Sequence, residues 1–202
     1  MILKEKVTMK DKSMKKTADF IFELGQLKRV KRSGWWLINI KEPESVAEHS
    51  FRAAAIGFIL ARLENADADK VTKMCLFNDI HEARINDLHK LGQRYIDFKK
   101  AEKRAFEEQA KTLPKDIGDE IKQLLNEFTK DETKEGIIAR DADYLECAFQ
   151  AKEYAETGNK EAQSWIDNVS KNLKTKSAKK LLKEMKSTSP NNWWKGLKNT
   201  KR

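Results

Sequence analysis

Residues 44–60 read ESVAEHSFRAAAIGFIL, residues 73–97 read KMCLFNDIHEARINDLHKLGQRYID, and residues 137–154 read IIARDADYLECAFQAKEY. All three contain apolar residues at helical spacing, with polar side chains set into the apolar pattern. In the first, Ser45 precedes Glu48 by three residues, which is the capping box that opens a helix. Ala, Phe, Ile and Leu then occupy more than one face as far as residue 64, so a central buried helix is expected. In the second, Asp67 or Asp69 can cap a helix carrying Val71, Met74, Cys75, Leu76 and Phe77 to about His81 or Ala83. The third belongs to a helix over 133–156, stopped at Thr157-Gly158-Asn159. Together they predict an all-α fold built around buried central helices.

The flanking sequence extends the same pattern. From Thr17 as N-cap, the series Ile21, Leu24, Leu27 and Val30 predicts a first helix ending at Gly34. The aromatic stretch GWWLINIKEPES, residues 34–45, contains Pro43 and reads as an ordered connection. A polar break over 85–92 precedes a long charged helix to about Thr112. Pro114 opens another helix to Phe128, and two lysine-rich helices follow at about 160–172 and 175–186. Residues 1–15 read as a flexible basic arm, and residues 16–202 as one compact domain. Its tail NNWWKGLKNTKR, residues 191–202, is expected to dock, because two adjacent tryptophans are costly to leave in water.

Composition narrows the function classes. No apolar run approaches the roughly 20 residues that span a bilayer, and the N-terminus lacks the apolar segment of a signal peptide. A soluble, cytoplasmic protein is expected. The 2 cysteines, Cys75 and Cys147, lie far apart in apolar helices, which argues against a zinc ribbon or disulfide framework. The formal net charge is +9, but lysine is spread along the chain and forms no single stripe, so a dedicated nucleic-acid face is not expected.

The chemistry is concentrated in one region. All 3 histidines fall between residues 49 and 89. His49 near the start of one apolar helix, Asn78-Asp79 near the end of the next and Asp143 in the middle of a later one offer an imidazole and two carboxylates to a divalent cation, provided these helices pack together. An ionised Asp on a buried face is expensive without such a partner. Glu82 lies one turn beyond Asp79 on the same face and can orient or deprotonate a water. Asp87 in the polar break either reaches the same water or caps the next segment. Such parts suit hydrolysis of a phosphomonoester.

The three quoted segments resemble the HD-domain hydrolases, and within them the 5'-deoxynucleotidase-like branch. The resemblance runs from LKRVKRSGWW at residue 27 to WWKGLK near the C-terminus, and its most specific block is Glu82 to Lys90. It implies a metal-dependent phosphohydrolase releasing phosphate from nucleoside 5'-monophosphates, deoxynucleotides favoured, with a divalent ion (Mg²⁺, Mn²⁺ or Co²⁺) and a homodimeric state. By resemblance the metal ligands fall on His49, Asn78, Asp79 and Asp143, and the catalytic acids on Glu82 and Asp87. Arg32 and Trp35 fall on the substrate-binding pair. Asn78 stands where the family has a histidine. Either its amide oxygen ligates a harder ion, or His81 one turn along supplies the imidazole, or the site is degenerate. The last case gives the alternative reading, a catalytically silent protein that binds a nucleotide or a partner protein.

Overall fold

The computed structural model describes residues 14–197. Helix α1 covers residues 14–24. It is followed by α2 (Val46–Leu63), α3 (Ala68–Phe77), α4 (Glu82–Ile85), α5 (Lys90–Gln93), α6 (Phe98–Ala110), α7 (Lys115–Lys130), α8 (Lys134–Glu156), α9 (Gln163–Asn172) and α10 (Lys176–Ser187). Among the described residues there is no strand, only an isolated antiparallel bridge between Lys31 and Ser45. The all-α expectation holds.

Helices α2, α3 and α8 form the centre, packing on one another more extensively than any other trio. Their sequences permit close approach. Ala139, Ala142, Ala148 and Ala151 of α8 are fully buried, so the neighbouring backbones meet over methyl groups. On α2, a β-carbon at Gly57 would lie 2.9 Å from Cys75 Sγ and 3.0 Å from Val71 Cγ1. The main core continues through Leu124 and Phe128 of α7, Ile166 of α9 and Leu182 of α10, and a second core gathers Phe20, Val46, Ile80, Phe106 and Ile121. Both cysteines are free. Buried Asp141 fastens α10 to α8: its carboxylate accepts the Thr175 N–H and hydroxyl, each at 2.7 Å, and the Lys174 N–H at 2.9 Å.

Local differences from the sequence reading have local causes. The first helix tightens into a 3-10 turn over Gly25–Lys28 and ends there. Gly34 lies inside a second 3-10 turn, Ser33–Ile38, and Thr17 is an interior helical residue. The helix expected from Gly92 to Thr112 is divided. Short α5 begins where the His89 ring accepts the Gly92 N–H at 3.0 Å, and Asp97 caps α6 by accepting from Lys100 N–H at 3.2 Å. The basic arm lies, up to residue 13, outside the described residues, and residues 14 and 15 already belong to α1. In the tail, Trp193 is 77% exposed rather than docked, whereas Trp194 is half-buried.

The α6–α7 corner gives a direct test of packing. A β-carbon on Gly118 would stand 2.4 Å from the Ala110 carbonyl oxygen, a clash with backbone that no rotamer relieves. Despite alanine's better helix propensity, Gly118→Ala should therefore cost about 1–3 kcal/mol and lower the thermal midpoint by roughly 2–10 °C. A midpoint equal to or above that of the parent in a calorimetric scan would refute this.

Candidate active site

The site begins with a cap. Ser45 Oγ accepts the Glu48 N–H at 3.2 Å, while Glu48 Oε2 accepts the Ser45 N–H at 2.6 Å. This fixes the start of α2 and puts His49 in its first turn, facing α8 and 1% exposed. There the ring lies between two carboxylates one turn apart on α8. His49 Nε2 is 3.0 Å from Asp143 Oδ1, and Nδ1 is hydrogen-bonded to Glu146 Oε2. Just past α3, Asp79 brings its Oδ2 to 3.4 Å from the same Nε2. One ligand atom from each of His49, Asp79 and Asp143 lies within 4.8 Å of the others.

The segment before α2 delivers a cation to the cluster. Arg32 donates its N–H to the Glu44 carbonyl at 3.0 Å, and Val46 donates to Val30 at 2.9 Å. Held by this pairing, the Arg32 guanidinium reaches 3.7 Å from Asp79 Oδ2. Burial would lower its pKa, but Asp87, Asp79, Glu82 and Asp143 together raise it well above its usual value. Asp87 is held in turn: its Oδ2 accepts the Ser33 N–H at 2.8 Å, and Ser33 Oγ accepts the His89 N–H at 2.8 Å. Glu82 is 5% exposed, and its Oε2 has no hydrogen-bond partner among the described residues. Burial, then the charges of Asp79 and Asp87, push its carboxyl well above the usual range. Burial raises Asp143 as well, but the His49 hydrogen bond and charge outweigh it and bring its carboxyl down to about 2.

The structure thus brings together His49, Asp79, Asp143, Arg32, Glu82 and Asp87. Three other candidates behave differently. Asn78 donates its amide N–H to Asp79 Oδ1 at 2.6 Å, and so holds the carboxylate whose other oxygen faces His49. His81 brings no imidazole to the cluster: it is buried against α6, with Nε2 4.0 Å from Glu102 and its ring 6.4 Å from Phe98. Trp35 is 2% exposed, stacked 5.4 Å from Trp165 and edge-on to Tyr154 at 5.1 Å, with its indole N–H on Glu44 Oε1 at 3.1 Å. It is a core anchor of the Arg32 loop, and Trp36 beside it, 51% exposed, is the ring that meets solvent.

Glu146, Arg52 and Glu44 escaped the sequence reading. The available signal was spacing, since Glu146 is one turn from Asp143 and Arg52 one turn from His49. The cluster fits a divalent cation. Its donors are an imidazole and carboxylates, and the bond from Nδ1 to Glu146 directs Nε2 at the shared point.

Comparison with known proteins gives the family. Residues 24–186 match the family model described as HD domain. The chain belongs to the HD domain family. It is 29% identical over 154 residues to 5'-deoxynucleotidase HDDC2 of Bos taurus, covering 76% of this chain and 75% of the relative. It is 33% identical over 144 residues to the protein of the same name from Dictyostelium discoideum, covering 67% and 76%. Among solved structures, a conserved hypothetical protein from Pyrococcus furiosus superposes with TM-score 0.71 at 30% identity, over 85% of this chain and 99% of that one.

Glu44 provides a test of the electrostatics behind the cluster. Burial and the Glu146 charge raise its pKa from 4.5 to about 7. The folded state therefore keeps a proton that the unfolded state has lost, so the stability of metal-free protein falls as pH rises across that interval. Glu44→Gln keeps an acceptor for the Trp35 N–H and removes the cost. It should stabilise chelator-treated protein by on the order of 1–3 kcal/mol at pH 8 and change little at pH 4.5. Equal shifts in thermal midpoint at the two pH values would contradict the assignment.

Proposed function

We propose that this HD-domain protein is a divalent-metal-dependent phosphohydrolase that releases phosphate from nucleoside 5'-monophosphates, deoxynucleotides favoured. The reading is carried by the convergence of His49, Asp79 and Asp143 within 4.8 Å, beside a part-buried arginine and a buried carboxyl with an unpartnered oxygen. These three side chains would hold the cation, and the amide oxygen of Asn78 is a further neutral donor. The oxygen-rich set suits Mg²⁺ or Mn²⁺, with Co²⁺ next. When bound, the cation would polarise water and neutralise phosphate oxygens.

The remaining steps fall to side chains. Arg32 binds the phosphate, its planar fork matched to two oxygens. Glu82, whose carboxyl is pushed well above the usual range, carries a proton to the leaving 5'-oxygen. Asp87, anchored on the Ser33 N–H, orients and deprotonates the attacking water. As proposed, the protein works on free nucleotides, in the cytoplasm and as a homodimer. Among the described residues no helix is long and apolar enough to cross a membrane.

One observation favours a second reading, a silent HD domain that binds a nucleotide or a partner protein. Asn78 turns its amide N–H onto Asp79 at 2.6 Å, where the family places an imidazole. Metal-stripped protein reloaded with Mg²⁺, Mn²⁺ or Co²⁺ should release phosphate from deoxynucleoside 5'-monophosphates. Glu82→Gln should slow release by roughly 10²–10⁴-fold without changing metal content. Release by none of the loaded forms removes the enzyme reading, and release only after Asn78→His makes the natural chain a binder.

A further inference from the structure

The side chains between α2 and α8 alternate in charge along the seam, from Asp143 in the cluster to Glu153 at the surface. Asp143 meets His49 Nε2 at 3.0 Å, and His49 Nδ1 meets Glu146. Glu146, fully buried, receives Arg52 through Nε at 2.9 Å and through Nη2 at 2.8 Å. Arg52 then reaches Glu153 and Gln150, each at 2.7 Å. His49 and Arg52 are one turn apart on α2, as Asp143 and Glu146 are on α8, so the ladder interlocks the two helices at one relative rotation.

We propose that Glu146 and Arg52 are positioning residues for the metal site, a role that rests on the proposed function. Glu146 accepts the Nδ1 proton of His49 and thereby leaves the Nε2 lone pair aimed at the point shared with Asp79 and Asp143. A carboxylate with no access to water is expensive unless paired, and Arg52 is the cation that keeps Glu146 ionised there. Because the Arg52 guanidinium is part-exposed, with 30% of the side chain accessible, it extends the ladder to the protein surface. An ionised acceptor behind an imidazole raises its basicity and fixes its tautomer. A neutral amide in the same place fills the same volume and accepts the same proton, but supplies no charge.

The test compares metal affinity with fold. Glu146→Gln and, as a variant at the half-exposed end of the ladder, Arg52→Gln should each weaken Co²⁺ binding, measured by competition with a chelator, by roughly 10–100-fold. Circular dichroism should remain that of the parent, and saturating Co²⁺ should restore most of the kcat for phosphate release. Arg52→Lys, which keeps the charge, should recover part of the lost affinity. Co²⁺ affinity within twofold of the parent in both glutamine variants, with binding abolished in His49→Gln, overturns the positioning role and leaves the metal site standing. Undiminished binding in His49→Gln overturns both.

Discussion

The structure depends on one buried ring. His49 is surrounded by protein, and each of its nitrogens faces a carboxylate of α8. Neither the ring nor its partners could be placed there alone, since an unpaired ionised group in the interior costs several kcal/mol. The pairs form only if α2 and α8 approach closely at one rotation. The alanine face of α8 and Gly57 of α2 make that approach possible, and the Ser45–Glu48 capping box fixes where α2 begins. Removing the alanines' fit would loosen the packing, but removing the charge match would leave the packing without a register. Apolar burial holds the helices together, and the ion pairs select which turn meets which.

The same centre is acidic within a basic chain. Glu44, Asp79, Glu82, Asp87, Asp143 and Glu146 surround Arg32, His49 and Arg52, while the sequence as a whole carries +9. The surface lysines lie largely in water, where their influence is screened within about 8–10 Å, so they do not neutralise the interior. Burial and the neighbouring carboxylates raise both Glu82 and Glu44, so protons can relieve part of the excess. A divalent cation at the His49–Asp79–Asp143 point would meet it more fully. Net charge therefore says little about this protein's partner, because the charge that matters has the opposite sign and is hidden.

Much of the framework was legible because its signals are local. Ser45 caps α2, Thr133 begins α8, Pro114 precedes α7, and Gly158, with φ of +108°, follows the end of α8. Between Asp67 and Asp69, hydrogen bonding selects Asp67, whose carboxylate accepts the Lys70 N–H. What failed carries no such signal. A tightening of α1 at Gly25, a His89 side-chain cap on α5 and an exposed Trp193 leave no trace in hydrophobic spacing. At the site, residue types and spacing identified His49, Asp79, Asp143, Glu82 and Asp87, which do converge. They could not tell which way His81 and Trp35 point, and both turn toward other partners. Glu146 and Arg52 read as ordinary charges at helical spacing, and only the meeting of two helices makes them a buried pair.

Asn78 shows how a neutral amide takes a place in such a centre. A histidine would offer a nitrogen lone pair, whereas the asparagine offers an N–H, and the structure uses it to hold Asp79 Oδ1 at 2.6 Å. Asp79 Oδ2 is then left toward His49 and Arg32, at 3.4 and 3.7 Å. The amide N–H thus orients a neighbour that faces the cluster, and the amide oxygen is the one donor Asn78 has left to offer an ion. If the cluster holds a cation as proposed, the consequence is a poorer site for imidazole-preferring metals and a relatively better one for ions that accept carboxylate and water oxygens. Fewer protein donors also leave more coordination positions to phosphate oxygens. Asn78 then bears on the choice of metal before it affects the chemistry, because Asp87 is held by the Ser33 N–H and the Arg32 backbone by the Glu44 carbonyl, contacts in which Asn78 has no part.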